Sequence, residues 1–194
     1  DSLQNEGGAF VYLGSPTGIP DSAPWSSTGL QDYAYLGASV ADAGDVDGDG
    51  DDDVIVGVPY FDNSLTDQGA AFVFHGTGSG LLSSSGWSVE GDQEEAYFGS
   101  PVATAGDVNG DGYSDVIVGE TYYDGGQTDE GRVSLFLGSA DGLNTDAAWT
   151  AEANQNYAYL GASIDTAGDT NGDGYDDIII SATYYDNGQT DEGA

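Results

Sequence analysis

The stretch that decides the fold is YLGASVADAGDVDGDGDDDVIVG, residues 35–57. It recurs as YFGSPVATAGDVNGDGYSDVIVG at residues 97–119 and as YLGASIDTAGDTNGDGYDDIIIS at residues 159–181. The copies are 62 residues apart, and the three tryptophans outside the block keep the same spacing. A repeat with no insertions indicates one repeated architecture. We therefore expect one β-propeller or part-propeller domain over residues 1–194, with repeats at 1–62, 63–124 and 125–186 and with 187–194 beginning a fourth.

Each repeat offers four short strand-like segments separated by Gly, Asp, Asn and Ser clusters. In the first full unit they are strand A (Ala38–Ala43), strand B (Val54–Val58), strand C (Ala70–Phe74) and strand D around Trp87–Val89. This pattern predicts an all-β fold, a β-propeller built from four-stranded antiparallel blades. The small residues of strand A suit a crowded propeller axis. The continuous apolar run of strand B predicts a strand that is covered on both faces.

The composition limits what the 194-residue chain can do. It has 35 acidic residues against one Lys or Arg, for a net charge of −34. Such a surface repels phosphate backbones and anionic lipids, so we expect no nucleic-acid partner. No apolar run approaches the roughly 18 residues of a membrane-spanning helix, so we expect no membrane insertion either. Cysteine is absent, which excludes thiolate metal sites and cysteine nucleophiles.

The loops between strands A and B are candidate calcium sites. Oxygen-bearing side chains stand at loop positions 1, 3, 5 and 9, and a glycine stands at position 6. Hard oxygen ligands suit Ca²⁺, and the variable position 7 needs to supply only its backbone carbonyl. We expect three Ca²⁺ sites. The candidate ligands are Asp45, Asp47, Asp49, Asp51 and Asp53 in loop 1, Asp107, Asn109, Asp111, Tyr113 and Asp115 in loop 2, and Asp169, Asn171, Asp173, Tyr175 and Asp177 in loop 3.

Other interpretations of these loops are weaker. An EF-hand requires a bidentate Glu at position 12, where this chain has Val56, Val118 and Ile180. Mg²⁺ prefers a small octahedral site and keeps its waters. A solvated acidic turn without metal remains the plain alternative, because Asp and Asn favour turns by themselves.

The residues flanking the loops carry a family resemblance. A Phe-Gly or Leu-Gly pair precedes strand A at Phe98-Gly99, Leu36-Gly37 and Leu160-Gly161, and Gly57-Val58-Pro59 ends strand B. The chain resembles FG-GAP repeats, the units of the integrin α-subunit β-propeller and of many secreted bacterial proteins. The resemblance implies calcium ligands at the loop positions given above and an extracellular or cell-surface location. The chain departs from the pattern in number, because such propellers typically have seven blades.

The resemblance favours a non-catalytic, calcium-stabilised binding or adhesion module over an enzyme. Its partner would be an unidentified protein or glycan. A lectin-like propeller that binds sugars is the first alternative, and part of a secreted enzyme is the second. We identify no catalytic residue.

The loops between strands B and C also share a pattern. Residues 60–69, 122–131 and 184–193 open with Tyr-Phe/Tyr-Asp and close with Thr-Asp-Gln/Glu-Gly. They are expected to be rigid turns, with a second cation site or a glycan-contacting aromatic surface as alternatives. His75 is expected to be a partly buried or exposed histidine of strand C and not a catalytic base. Arg132 is expected at the surface or paired with a carboxylate such as Glu130.

Both chain ends fall in a B–C loop, because residues 187–194 occupy the repeat positions of residues 1–8. One end then supplies strands C and D alone, and the other supplies A and B alone. Unpaired edges favour association, and three blades are fewer than the typical four to eight of a ring. We expect a homodimer that closes a six-bladed ring. The alternative is a fragment of a larger ring.

Overall fold

A computed structural model describes residues 3–29, 31–188 and 193, and within these residues the chain is all-β with no helix. Accordingly, no described segment is a helix long and apolar enough to cross a membrane. The strands are β1 (Gly8–Val11), β2 (Trp25–Thr28), β3 (Ser39–Gly44), β4 (Asp53–Val58), β5 (Ala70–Phe74), β6 (Gly76–Thr77), β7 (Gly80–Leu81), β8 (Trp87–Glu90), β9 (Val102–Gly106), β10 (Asp115–Glu120), β11 (Arg132–Phe136), β12 (Trp149–Glu152), β13 (Leu160–Gly168) and β14 (Asp177–Ala182).

Two complete blades form the centre of the structure. The first blade has strand order β3-β4-β5-β8 and the second has order β9-β10-β11-β12, and every pairing is antiparallel. The register repeats as well, because Val54 pairs with Phe74 and Val116 pairs with Phe136. These sheets confirm the prediction of four-stranded antiparallel propeller blades. The short hairpin β6–β7 was not anticipated from the sequence; the Thr77 hydroxyl closes it by donating to the Gly80 carbonyl.

Two half-blades flank the complete ones. The pair β1–β2 supplies strands C and D, whereas the pair β13–β14 supplies strands A and B. The described sheets therefore do not form a closed ring. The fourth repeat that the sequence begins at residue 187 lies largely outside the described residues, and the division into 62-residue repeats stays a prediction.

The strands with small residues lie innermost. Strand β3 lies against β9, and β9 lies against β13, so the A strands of successive blades are neighbours. The backbones approach closely where one blade meets the next: a Cβ added to Gly57 would lie 1.9 Å from the carbonyl oxygen of Gly99. Only glycine fits at such a contact, which explains why position 57 carries no side chain.

The hydrophobic core is formed between the blades. Trp25 packs edge-on against Phe74 of the first blade, and Trp87 packs in the same way against Phe136 of the second, with ring centroids 4.9 and 5.1 Å apart. Strand β10 is buried along its whole length, as its apolar run predicts. Each blade is therefore stabilised mainly by apolar contact with the next one.

Candidate metal centres and an aromatic face

The three acidic loops occupy equivalent places at one end of the blades. Each joins strand A to strand B: loop 1 follows β3, loop 2 follows β9 and loop 3 follows β13. A glycine with positive φ ends each of these A strands, with φ of 69° at Gly44, 74° at Gly106 and 64° at Gly168. This left-handed turn directs the first aspartate back over the loop that follows.

The first aspartate of each loop organises the backbone. The Asp107 carboxylate accepts N–H bonds from Gly110, Asp111 and Gly112, at 2.7, 3.1 and 2.8 Å. Asp45 and Asp169 accept the same three bonds in loops 1 and 3. These bonds wrap the loop around the carboxylate. In loop 3 the N–H of Gly174 is the main factor that lowers the pKa of Asp169.

The side chains at positions 3 and 5 converge on the same point. In loop 1 the carboxylates of Asp45, Asp47 and Asp49 each offer an oxygen within 4.8 Å of the others. In loops 2 and 3 an asparagine replaces the second aspartate, and its side-chain oxygen keeps the same bond to the N–H two residues later, at 2.9 Å. Clustered carboxylates repel one another, so the arrangement favours a cation.

The carboxylate at position 9 is buried in loops 1 and 2. Asp115 accepts an N–H bond from Val108 at 3.0 Å and another from Gly138, just beyond β11, at 2.9 Å. Burial, with the charges of Asp111 and Asp107, raises the pKa of Asp115 to about 6, although the two N–H bonds act in the opposite direction. Burial likewise raises the pKa of Asp53. These carboxylates tie the loop to the adjacent strand and still have lone pairs free for a metal.

The variable position 7 joins one loop to the next. The Tyr113 ring covers Gly48 of loop 1, because a Cβ on that glycine would lie 2.6 Å from the ring. The Tyr175 ring covers Gly110 of loop 2 in the same way, at 2.8 Å. Both rings therefore lie against the preceding loop, and the assignment of the position 7 backbone carbonyl as a metal ligand stays a prediction.

His75 lies beside loop 1, which the sequence did not indicate. It follows β5 directly, and its Nδ1 lies 3.1 Å from Asp47 Oδ2 and 3.4 Å from Asp53 Oδ1, without a well-aligned hydrogen bond. The corresponding residue of the second blade is Leu137. His75 therefore lies just beyond strand C and next to the acidic loop.

A row of six tyrosines crosses the opposite face. Tyrosines that precede strand A alternate with tyrosines that follow strand B, and neighbouring ring centroids are 4.9–5.7 Å apart. Four of the six rings are exposed. This tyrosine row consists of Tyr35, Tyr60, Tyr97, Tyr122, Tyr159 and Tyr184. The 62-residue recurrence of both sets of tyrosines was visible in the sequence, but their contact across blades was not.

The tyrosine row borders an acidic cavity of about 510 Å³ between the two complete blades. Its lining includes Tyr97, Tyr122, Glu95 and Asp129. Burial, together with the charge of Asp67, raises the pKa of Tyr97, so the phenol stays neutral in this acidic surrounding. Partial burial also raises the pKa of Asp129.

The B–C loops of the two complete blades are each closed by an aspartate hydrogen bond, and their expected rigidity stays a prediction. The side chain of Asp62 accepts the N–H of Asp67 at 2.6 Å, and Asp124 accepts that of Asp129 at the same distance. The third aspartate pair of this pattern, Asp186 and Asp191, cannot be compared, because Asp191 lies outside the described residues. Arg132 does not pair with Glu130: its guanidinium donates to Glu120 and Asp92.

Comparison with known proteins gives a consistent family. The FG-GAP repeat model matches residues 37–74, 98–136 and 160–194. Integrin alpha-IIb of Mus musculus is 35% identical over 161 residues, which is 79% of this chain and 15% of the relative. Integrin alpha-V of Gallus gallus is 36% identical over 160 residues, 79% of this chain and 14% of the relative. Integrin alpha-5 of Xenopus laevis is 29% identical over 182 residues, which is 89% of this chain and 17% of the relative. The chain thus spans about a sixth of the length of these relatives.

Proposed function

Because the chain belongs to the FG-GAP repeat family, we infer that it is a calcium-stabilised, non-catalytic binding or adhesion module of the integrin-like type, placed outside the cell or on its surface. The observation that carries this inference is the threefold recurrence of one loop geometry, in which a carboxylate at position 1 accepts the same three N–H bonds. The integrin alpha subunits to which the chain is similar support the adhesion role.

In this proposal each A–B loop holds one Ca²⁺. The side chains at positions 1, 3, 5 and 9 and the carbonyl at position 7 supply hard oxygen ligands, and waters complete the six to eight that Ca²⁺ takes. The ion would neutralise carboxylates that otherwise repel one another, among them the buried Asp53 and Asp115. Ca²⁺ would therefore contribute to stability by binding the folded loops and not the unfolded chain.

Removal of calcium tests this role. At free calcium about 100-fold above Kd each site contributes about 2.7 kcal/mol, so three contribute about 8 kcal/mol. We expect excess EDTA to lower the melting temperature strongly, and Ca²⁺ to restore it better than equimolar Mg²⁺. An unchanged melting curve after proven removal of all metal would reject calcium stabilisation.

We propose that the tyrosine row and its acidic cavity form the ligand-binding surface. Exposed aromatic rings attract cations through their faces, and the surrounding carboxylates of Glu95 and Asp129 add Coulomb attraction. A cationic side chain of a protein ligand fits this chemistry. Sugar rings also stack on tyrosines, so a glycan ligand is the second candidate.

Paired arrays distinguish the two ligand classes. The chain is probed on a peptide array in which arginine or lysine alternates with neutral residues, and on a glycan array. We expect cationic peptides to bind wild type and to lose binding in Tyr122→Ala. The exposed Tyr33, outside the tyrosine row, provides the matched control Tyr33→Ala. Binding to glycans and not to peptides would show that the ligand is a sugar. Equal loss of binding in Tyr122→Ala and Tyr33→Ala would reject the tyrosine row as the binding surface.

We also propose that two chains close a six-bladed ring. In the complete blades strand B pairs with strand C, whereas within residues 3–29, 31–188 and 193 β14 pairs only with β13 and β1 pairs only with β2. Their apolar side chains are correspondingly open: Ile179 is 61% exposed and Phe10 is 57% exposed. Pairing β14 of one copy with β1 of the other would complete two blades.

Light scattering of the chain tests the ring. A species of twice 19.8 kDa that dissociates on Ile179→Asp supports the homodimer. A stable monomer would reject it and favour the fragment of a larger ring.

A further inference from the structure

The B–C loop of the second blade has lost two hydrogen-bond donors that the first blade has. In the first blade the side-chain amides of Asn63 and Gln68 both donate to Glu90 Oε2, at 2.9 and 2.8 Å. The repeat places Gly125, Glu130 and Glu152 at the corresponding positions of the second blade. The acceptor carboxylate is kept as Glu152. The Asn63 side chain is absent at Gly125, and the Gln68 amide is replaced by the carboxylate of Glu130.

The Glu130 side chain is buried with one oxygen unpaired. It is 1% exposed, and its Oε1 accepts N–H bonds from Gly125, Gly126 and Gln127 at 2.8, 2.7 and 3.2 Å. Its Oε2 is buried and has no hydrogen-bond partner. A buried carboxylate oxygen without a partner lowers the stability of the folded state, because it has lost its hydration. A bound ligand at this atom would offset that free-energy cost.

The first blade shows where this oxygen points. Gln68 Oε1 accepts the N–H of Leu65 at 2.8 Å, as Glu130 Oε1 accepts that of Gln127. The other atom of the Gln68 amide, Nε2, is directed at Glu90. Because the repeat aligns the two side chains, the place of that nitrogen corresponds to Glu130 Oε2, and the place of Glu90 corresponds to Glu152.

The two carboxylates lie close together at Gly125. A Cβ on Gly125 would lie 2.6 Å from Glu152 Oε2 and 2.8 Å from Glu130 Oε1, so both carboxylates lie against the backbone at the position where the first blade has the Asn63 side chain. The single Arg or Lys of the chain, Arg132, already binds Glu120 and Asp92. No other lysine or arginine exists to neutralise the pair.

We propose that Glu130 and Glu152 bind a divalent cation of the Ca²⁺ class in the B–C loop of the second blade, separate from the three A–B loops. The donor set consists of carboxylate oxygens, which Ca²⁺ prefers, and two carboxylates balance its charge. The ion takes the place of the two amide groups that stabilise the first blade.

The experiment counts bound ions by equilibrium dialysis against calcium chloride alone, at pH 7. Glu130→Gln restores the amide that the first blade has and is expected to bind one Ca²⁺ fewer than wild type. The reciprocal double variant Asn63→Gly with Gln68→Glu creates the same pair in the first blade and is expected to bind one more. Because each result is a difference of one ion, it does not depend on how many ions the A–B loops hold.

Thermal melting in EDTA serves as the folding control, and Glu130→Gln is expected to melt at or above wild type there because the unpaired oxygen is gone. An equal ion count in wild type and Glu130→Gln would overturn the proposal. The proposal would also be overturned if wild type held one more proton than Glu130→Gln and both bound the same number of Ca²⁺ ions. The two carboxylates would then share a proton and bind no metal.

Discussion

The two complete blades have the same sheet order and register but different interiors at one pair of positions. In the first blade Val58 pairs across strands with Ala70, and both are buried. In the second blade the same pair is Glu120 and Arg132. The guanidinium donates two bonds of 2.9 Å to Glu120. The comparison teaches that one backbone geometry tolerates either an apolar pair or an ion pair, provided that the pair is complete.

The ion pair is part of a larger cluster. Arg132 also bonds to Asp92 at 2.6 Å and stacks over the Tyr123 ring, 3.8 Å from its centroid. Burial raises the pKa of Glu120 to about 7, although Arg132 acts in the opposite direction. Burial disfavours the charge of Arg132, but its bonds to Glu120 and Asp92 outweigh this and raise its pKa.

The largest expected effect comes from breaking this pair. Arg132→Ala leaves Glu120 buried and uncompensated, and at pH 8 we expect a loss of about 3–5 kcal/mol in the free energy of unfolding. The double variant Glu120→Val with Arg132→Ala copies the first blade and should regain most of that stability. Urea unfolding measures both. If Arg132→Ala alone changes stability by less than about 1 kcal/mol, the buried ion pair is not as the structure shows it.

The next effect is the pH dependence that comes from Glu120, which the first blade replaces by Val58. The folded-state pKa of Glu120, about 7, lies above its ordinary value of 4.5, so the folded state holds the proton more tightly than the unfolded state. This contribution to stability is complete below pH 4.5 and is lost as the pH rises toward 7, by up to about 1.4 kcal/mol per pH unit.

The measurement is the difference in unfolding free energy between wild type and the Glu120→Val, Arg132→Ala double variant from pH 4 to pH 8. The other carboxylates are common to both proteins, so their titration largely cancels. We expect wild type to lose stability relative to the double variant as the pH rises. A difference that stays flat would contradict the raised pKa of Glu120.

The smallest expected effect distinguishes loop 2 from loop 1 at position 7, where Tyr113 replaces Asp51. Tyr113→Phe removes only the phenol hydroxyl. The ring that covers Gly48 and the backbone carbonyl of residue 113 are both kept. We expect its calcium affinity to change by less than about twofold, whereas Asp111→Ala should abolish binding in loop 2. Calorimetry with Ca²⁺ compares the two variants. Equal weakening in both would show that the Tyr113 side chain itself is a ligand.

Much of the fold could be predicted because its signals are local and repeated. Strands β4 and β10 are runs of apolar residues between Gly and Asp breakers, and β5 begins and ends at the predicted residues. The loop ligands could be proposed for the same reason, because the Asp107 carboxylate bonds to residues only three to five positions away. Such contacts depend on local chain geometry, which periodic spacing reveals.

The sequence by itself determined the repeat, the four strands of each blade and the acidic loops, since each of these follows from residues that are neighbours in the chain. The tertiary structure alone decided the contacts between distant residues. It placed Asp92 on Arg132, 40 positions away, brought Glu130 and Glu152 together at Gly125, and brought Tyr97 and Tyr122 together from different loops. No spacing in the sequence reports these contacts, because they depend on how blades pack and on which side chain fills the space that another leaves.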